Sequence, residues 1–230
     1  MYKGKQILAI IPARGGSKGI PRKNIIPIHN KPLIQYTIDE ALLSNYLDEI
    51  IVSTDDKEIA QISINLGANV PYLRPEKLAQ DHSRTIDTVM HVVEKQKEHG
   101  YNYDYVVVLQ PTQPLRKHWH IDEAIESVIN NNHESLVSVT KVKEHPILMR
   151  TINKNNKLEN IINKTSTLRR QDFPEVYKVN GAIYINNTAT LHSNTSLNDN
   201  KYSYIMEEKF DLDIDDLKDV ELFYDLYHER

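Results

Sequence analysis

The run Tyr105-Val-Val-Val-Leu-Gln110 constrains the fold more than any other segment. A strand that is apolar at nearly every position has no face to give to water, so both faces of its sheet must be covered, as in parallel sheets flanked by helices. The surrounding pattern agrees. Strand-like runs at Ile7–Ile11, Glu49–Ser53, Asn69–Leu73, Leu136–Val142 and Asn180–Ile185 alternate with helical spacing. The helical segments are Pro32–Ser44, a stretch after Asp55-Asp56 closed by Gly67, a stretch from Ser83 or Thr85 through Val93, Ile121–Ile129, and Asp216–Tyr227. Asp55 or Asp56 is the expected cap of the second helix. This alternation predicts an α/β sandwich with a mostly parallel sheet, and 230 residues are enough for one substantial core or one core with a small appendage. Ligands of such sheets bind beyond the carboxyl ends of the strands.

The rhythm breaks between about Glu144 and Lys178, where apolar residues such as Ile147, Leu148, Ile152 and Ile161 come in short pieces among Asn and Lys. Alternation then resumes, so the segment reads as an insertion rather than a linker. Short apolar pieces in a protrusion need a partner to be buried. A dimerisation arm and a plain surface subdomain both satisfy that reading.

The first strand runs into Arg14-Gly-Gly-Ser-Lys-Gly-Ile-Pro-Arg-Lys-Asn24. Gly15, Gly16 and Gly19 permit positive φ and a close approach of backbone to ligand. Backbone N–H groups in such a turn form a nest for phosphate oxygens, and Arg14, Lys18, Arg22 and Lys23 add full positive charge. The first 38 residues carry seven Lys or Arg and no carboxylate, so no neighbour in sequence cancels the field. The spacing is neither a Walker A loop nor a dinucleotide fingerprint, and Pro21 argues against an immediate helix.

Composition closes several routes. The net charge of −4 excludes a general nucleic-acid binder. No apolar run approaches the roughly 20 residues that cross a bilayer, and no signal-peptide pattern opens the chain, so the expected location is cytoplasmic, away from membranes. With no cysteine there is no disulfide, thiolate catalysis or cysteine metal site. The ten histidines show no metal-ligand spacing, no serine stands in a nucleophile elbow, and Trp119 reads as a packing residue.

Residues 201–230 carry ten Asp or Glu against four Lys or Arg. Within them, Asp211-Leu-Asp-Ile-Asp215 alternates carboxylates with apolar residues. On an extended strand the three carboxylates share one face, and crowding at that spacing is relieved by a cation. Mg²⁺ suits a chain that also holds phosphates, since it takes one or two carboxylates and fills its remaining positions with phosphate and water. An acidic edge kept soluble by charge is the plainer reading of the same residues.

The opening Ile-Pro-Ala-Arg-Gly-Gly-Ser-Lys-Gly-Ile-Pro-Arg-Lys-Asn resembles the bacterial acylneuraminate cytidylyltransferases, or CMP-sialic acid synthetases. So do Leu109-Gln-Pro-Thr-Gln-Pro-Leu-Arg116, Arg170-Gln-Asp-Phe-Pro174, Asn180-Gly-Ala-Ile-Tyr184 and Asp213-Ile-Asp215, and together these span essentially the whole chain. The resemblance implies a three-layer, Rossmann-like nucleotidyltransferase fold: a single cytidylyltransferase domain with an inserted dimerisation arm at about 144–178. It implies transfer of a cytidylyl group from CTP to a nine-carbon 2-keto sugar acid with Mg²⁺, release of pyrophosphate, and a homodimer. Carried over by position, Arg14, Ser17, Lys18 and Lys23 hold the triphosphate, and Asn24, Arg74 and Thr85 place the nucleotide. Gln110, Arg170, Asn180 and Tyr184 serve the sugar. Asp213 and Asp215 bind the metal and join Arg14, Lys18 and Lys23 as the catalytic group. Gln113 stands where Ser is the family form and Lys178 where Arg is frequent, which leaves sialic, legionaminic and pseudaminic acids open as the sugar. A glycosyltransferase is the alternative from another class, though its Asp-x-Asp usually follows a mid-domain strand.

Overall fold

The computed structural model describes residues 1–162, 167 and 169–228. In chain order the strands are β1 (Ile7–Pro12), β2 (Pro27–Ile28), β3 (Lys31–Pro32), β4 (Glu49–Ser53), β5 (Tyr105–Val108) and β6 (Ser135–Lys141). They continue with β7 (Arg150–Ile152), β8 (Leu158–Asn160), β9 (Tyr177–Asn187) and β10 (Tyr202–Met206). The helices are α1 (Leu33–Leu43), α2 (Lys57–Asn65), α3 (Thr85–Glu98), α4 (His118–Asn130) and α5 (Leu217–His228).

Six strands form the main sheet in the order β10-β6-β9-β5-β1-β4. β4, β1 and β5 are parallel, as are β10 and β6. β9 alone runs against its neighbours β5 and β6. The expected mostly parallel sheet is therefore present, and its helices lie on both faces. Along β1, Ile7, Ala9 and Ile11 pack with residues of α1, α2, α4 and α5, while Leu8 and Ile10 face α3 through Ile86, Val89 and Val92. That alternation is the period of two expressed as two separate cores, which gives three layers.

Three local expectations are corrected. Asn69–Leu73 is no strand: a single parallel bridge joins Asn69 to Ile51, and Pro71 has no N–H to extend the ladder. β9 begins at Tyr177, three residues before Asn180, and turns through Gly181 at φ 77°. β10 is an additional edge strand; its half-exposed Tyr202–Met206 gives little hydrophobic signal.

The insertion carries the antiparallel hairpin β7–β8, with Ile152 opposite Leu158. Both side chains are open to solvent, at 66% and 69% exposure. Trp119 packs edge-on against Phe210 at 6.1 Å between ring centres and remains partly exposed. Among the described residues no helix is long and apolar enough to cross a membrane.

Candidate active site

The carboxyl ends of β1, β4 and β5 open on one edge of the sheet, and the loop after each one meets there. Ala13 N–H donates to the Ser53 carbonyl at 2.9 Å, and Arg74 N–H donates to the Thr54 carbonyl at 2.7 Å. Asn24, buried within a short 3-10 turn, donates its amide to the Arg14 carbonyl at 2.9 Å and pins the glycine loop into an arch. The residue with positive φ in that loop is Arg22, at 55°. The three glycines do not use that freedom. Gly19 is required for approach instead, because a Cβ there would collide with the Asp215 carbonyl oxygen. At Gly15 a Cβ would stand 2.9 Å from the Asp56 side chain.

The late aspartates reach this arch through the loop after β5. Ile214 N–H donates to the Thr112 carbonyl at 2.8 Å, with Leu212 and Ile214 buried. The segment alternates in exposure without being a strand, so the expectation of three carboxylates on one sheet face is corrected. Asp211 turns aside to pair with Lys178 at 2.8 Å. Asp215 comes to Lys23, whose Nζ lies 2.9 Å from Oδ1. Asp213, two residues before Asp215, is exposed, and desolvation by the surrounding protein is the chief cause that raises its carboxyl above the ordinary range. Asp215 adds to that rise, and a hydrogen bond from the Thr112 hydroxyl opposes it.

A cleft of about 390 Å³ results, lined by Arg14, Ser17, Lys18, Lys23, Asn24, Arg74, Thr85, Gln110 and Asp215 of the expected site. A second cavity of about 400 Å³ shares Arg84, Thr85 and Gln110 with it and adds Tyr184 and the segment 194–198. Tyr184 donates its hydroxyl to Asn198 at 3.0 Å, and burial, then Asp213, raise the phenol and keep it protonated. Asn180 is placed elsewhere. It is buried and bonded to Ser138 and Thr140, while its carbonyl accepts from Gln113 at 2.5 Å, so it supports the strand rather than lining a cavity. The backbone of Arg170 belongs to a 3-10 turn, and its side chain lies outside the described residues.

The uncancelled field inferred from local sequence is also corrected, because the fold brings carboxylates to the loop from afar. Asp81 accepts from Arg14 at 2.8 Å and lies 3.6 Å from Lys18 Nζ; the Arg14 hydrogen bond chiefly holds its carboxyl below the usual range. Arg22 faces away to Asp56 and Glu58 at 3.0 and 2.8 Å. Asp56 caps α2 as expected, and Asp55 accepts from Gly15 N–H at 3.0 Å. Arg74 is almost wholly buried, donating to Ser53 and Thr88, and burial lowers its pKa against the opposing pull of Asp55. Asp81 and Arg84 line the cleft and were missed by sequence reasoning, while Asp55 and Arg116 support its loops from outside the lining. Arg116, fully buried and lowered to about 9 by burial, donates to the Gln110 carbonyl and holds that loop from below.

A family model described as Cytidylyltransferase matches residues 8–227. The chain belongs to the cytidylyltransferase family. It is 35% identical over 226 residues to an N-acylneuraminate cytidylyltransferase of Streptococcus agalactiae, covering 95% of this chain and 54% of that one. This cytidylyltransferase thus spans about half the length of that relative. It is 34% identical to a pseudaminic acid cytidylyltransferase of Campylobacter jejuni, covering 96% of this chain and 97% of that one. A CMP-N,N'-diacetyllegionaminic acid synthase of Legionella pneumophila is 40% identical over 83% of this chain and 82% of its own. A solved CMP:2-keto-3-deoxy-manno-octonic acid synthetase, complexed with CTP, superposes with a TM-score of 0.74 at 16% identity, over 97% of this chain and 99% of that one. That likeness speaks for the fold.

Proposed function

We propose that this cytidylyltransferase joins CMP to a nine-carbon 2-keto sugar acid of the sialic, legionaminic or pseudaminic type, consuming CTP and releasing pyrophosphate. The observation that carries the reading is the meeting of the basic loop with Asp215 at one cleft, beside a second cavity whose wall holds Arg84 as its one charged side chain. The triphosphate lies in the cleft along Arg14, Ser17, Lys18 and Lys23, where its oxygens take over cations now held by Asp81 and Asp215. Arg74, Asn24 and Thr85 hold the nucleoside end. The sugar acid occupies the second cavity with Tyr184 on its wall, and Gln110 faces both ligands.

The anomeric hydroxyl attacks the α-phosphorus, a new P–O bond forms to the sugar, and the bond to pyrophosphate breaks. The chain contributes positioning and fixed positive charge, since both substrates are anions that repel each other. The residues present fit Mg²⁺. Burial chiefly, with the charge of Asp215 adding to it, raises the Asp213 carboxyl, and a cation held by the two carboxylates would relieve both effects. Asp213 and Asp215 would hold the ion, with phosphate and water filling the rest of its shell. When bound, it supplies Lewis-acid polarisation of phosphate oxygens.

The exposed Ile152–Leu158 pair on the arm supports a homodimer. The test of the reaction is pyrophosphate release across a panel of nine-carbon 2-keto sugar acids, with CTP and the other nucleoside triphosphates. Release that requires both CTP and an acid of the panel supports the reading; release with none of them overturns it.

A further inference from the structure

The second cavity has one cation on its wall. Its neighbours there, Thr85, Gln110, Tyr184 and residues 194–198, are uncharged, so among the described lining residues Arg84 alone can meet an anion. Arg84 also borders the triphosphate cleft, which puts it at the junction of the two spaces. This position matters for a 2-keto sugar acid, whose carboxylate is bonded to the anomeric carbon. With the anomeric hydroxyl turned toward the α-phosphorus, the carboxylate is only two bonds from the attacking oxygen and falls at that same junction. A carboxylate there, next to the phosphates of the nucleotide, is held best by a hydrogen-bonding cation.

The guanidinium of Arg84 is already arranged as a fork. Its Nε donates to Asp87 Oδ2 at 3.0 Å and its Nη2 to Oδ1 at 2.6 Å. Asp87 is three residues away on the first turn of α3, and the guanidinium side of the pair is open to solvent. An exposed pair of this kind is weak and screened, and its partner is readily exchanged. Arg84 is itself the N-cap of the 14-residue α3, where the Asp87 carboxylate also accepts from the Arg84 backbone N–H, and the helix start adds partial positive charge on the same side. We propose that Arg84 is the specificity-determining residue for an acidic acceptor: its fork leaves Asp87 and takes the carboxylate of the sugar acid. The inference rests on the reading of the second cavity given above.

Two-substrate kinetics of pyrophosphate release test it, using the most active acid of the panel and its C1 carboxamide. Arg84→Gln is expected to raise KM for the acid by at least about tenfold, as loss of a charged hydrogen-bond pair implies, with KM for CTP within about twofold. Arg84→Lys should recover part of the loss, and Asp87→Asn should leave KM for the acid unchanged or lower it. With the carboxamide, wild type and Arg84→Gln should perform alike. The inference is overturned if KM for the acid is unchanged in Arg84→Gln, if the rise falls on CTP instead, or if the penalty persists undiminished with the carboxamide. Wild-type protein that uses no acid of the panel sinks the proposed reaction, and this role with it, before any variant is made.

Discussion

Lys23 Nζ lies 2.9 Å from Asp215 Oδ1, joining positions 192 residues apart in the chain. The ammonium is largely shielded from solvent while the carboxylate is open, so the contact draws Asp215 over the mouth of the cleft. In the proposed reaction the same ammonium offsets charge on the triphosphate as pyrophosphate leaves. Lys23→Met keeps the length of the side chain and removes the charge. Pyrophosphate release should fall at least about a hundredfold, the scale set by loss of one preorganised electrostatic stabiliser. A variant within about threefold of wild type would remove Lys23 from the catalytic group.

The close approach of Gly19 to Asp215 gives a second handle on the same junction. Gly19→Ala puts a methyl group against a backbone carbonyl, so one loop must move away from the other. Both loops lie outside the sheet, and Ile20, Leu212 and Ile214 anchor them in the core on either side of the contact. The expected result is a fall in kcat/KM of about tenfold or more with a change in Tm of only a few degrees. Unchanged kinetics would mean that the contact between the loops is incidental to turnover.

Asp213 sets stability against activity. Desolvation, with the nearby charge of Asp215 adding to it, raises its pKa, so ionisation costs folding free energy at neutral pH. Asp213→Asn removes one of two crowded charges with little change of shape. Tm at pH 7 should rise, while pyrophosphate release drops at least about a hundredfold. A lowered Tm would show that the carboxylate supports the fold through Thr112 more than it strains it.

The central strands and the basic loop were legible because their signals are local. An unbroken apolar run such as Val106–Val108 and a glycine-rich turn after a strand each report their own surroundings. The charge balance of the site was not legible. Asp81, Asp55 and Asp215 reach the loop through tertiary folding, and the cations of residues 14–23 read alone give an open positive field. The alternation in Asp211–Asp215 misled for a related reason. Period-two exposure arises there from a loop anchored at Thr112, with Leu212 and Ile214 pressed into the core, and Asp211 is diverted by Lys178. Val70-Pro71 reads as strand by composition but cannot extend a ladder, so only Asn69 pairs. Asn180 was legible as important and misread as to purpose, since a buried amide with several partners carries the same sequence signal as a ligand.

Away from the site, Glu40 gives a pH-dependent test of the packing between α1 and α4. Burial by itself would raise its carboxyl, but Lys117 Nζ at 2.7 Å, then His118 N–H at 2.8 Å, outweigh that and lower it. A carboxyl lowered in the folded state stabilises the protein above its unfolded value of 4.5, and that contribution is lost as pH falls through the lower folded value. Glu40→Gln should therefore cost about 1–3 kcal/mol in urea unfolding at pH 7, and the difference should shrink steadily below pH 4.5. A penalty that stays constant to low pH would assign it to lost packing instead of charge.

The arm supplies the last expectation. In the hairpin β7–β8, Ile152 and Leu158 are cross-strand partners, and both point into solvent. A two-stranded hairpin is at best marginally stable in water, so an apolar pair on its surface is better kept by a covering surface than by the hairpin alone. If that surface is a second copy, light scattering will report about twice the 26.7 kDa chain mass. The double variant Ile152→Asp, Leu158→Asp should then scatter as a single chain, because two new carboxylates directly opposite each other repel and cannot enter a dry interface. A wild-type chain that stays monomeric at high micromolar concentration, or a double variant that still dimerises, would locate the contact away from this hairpin.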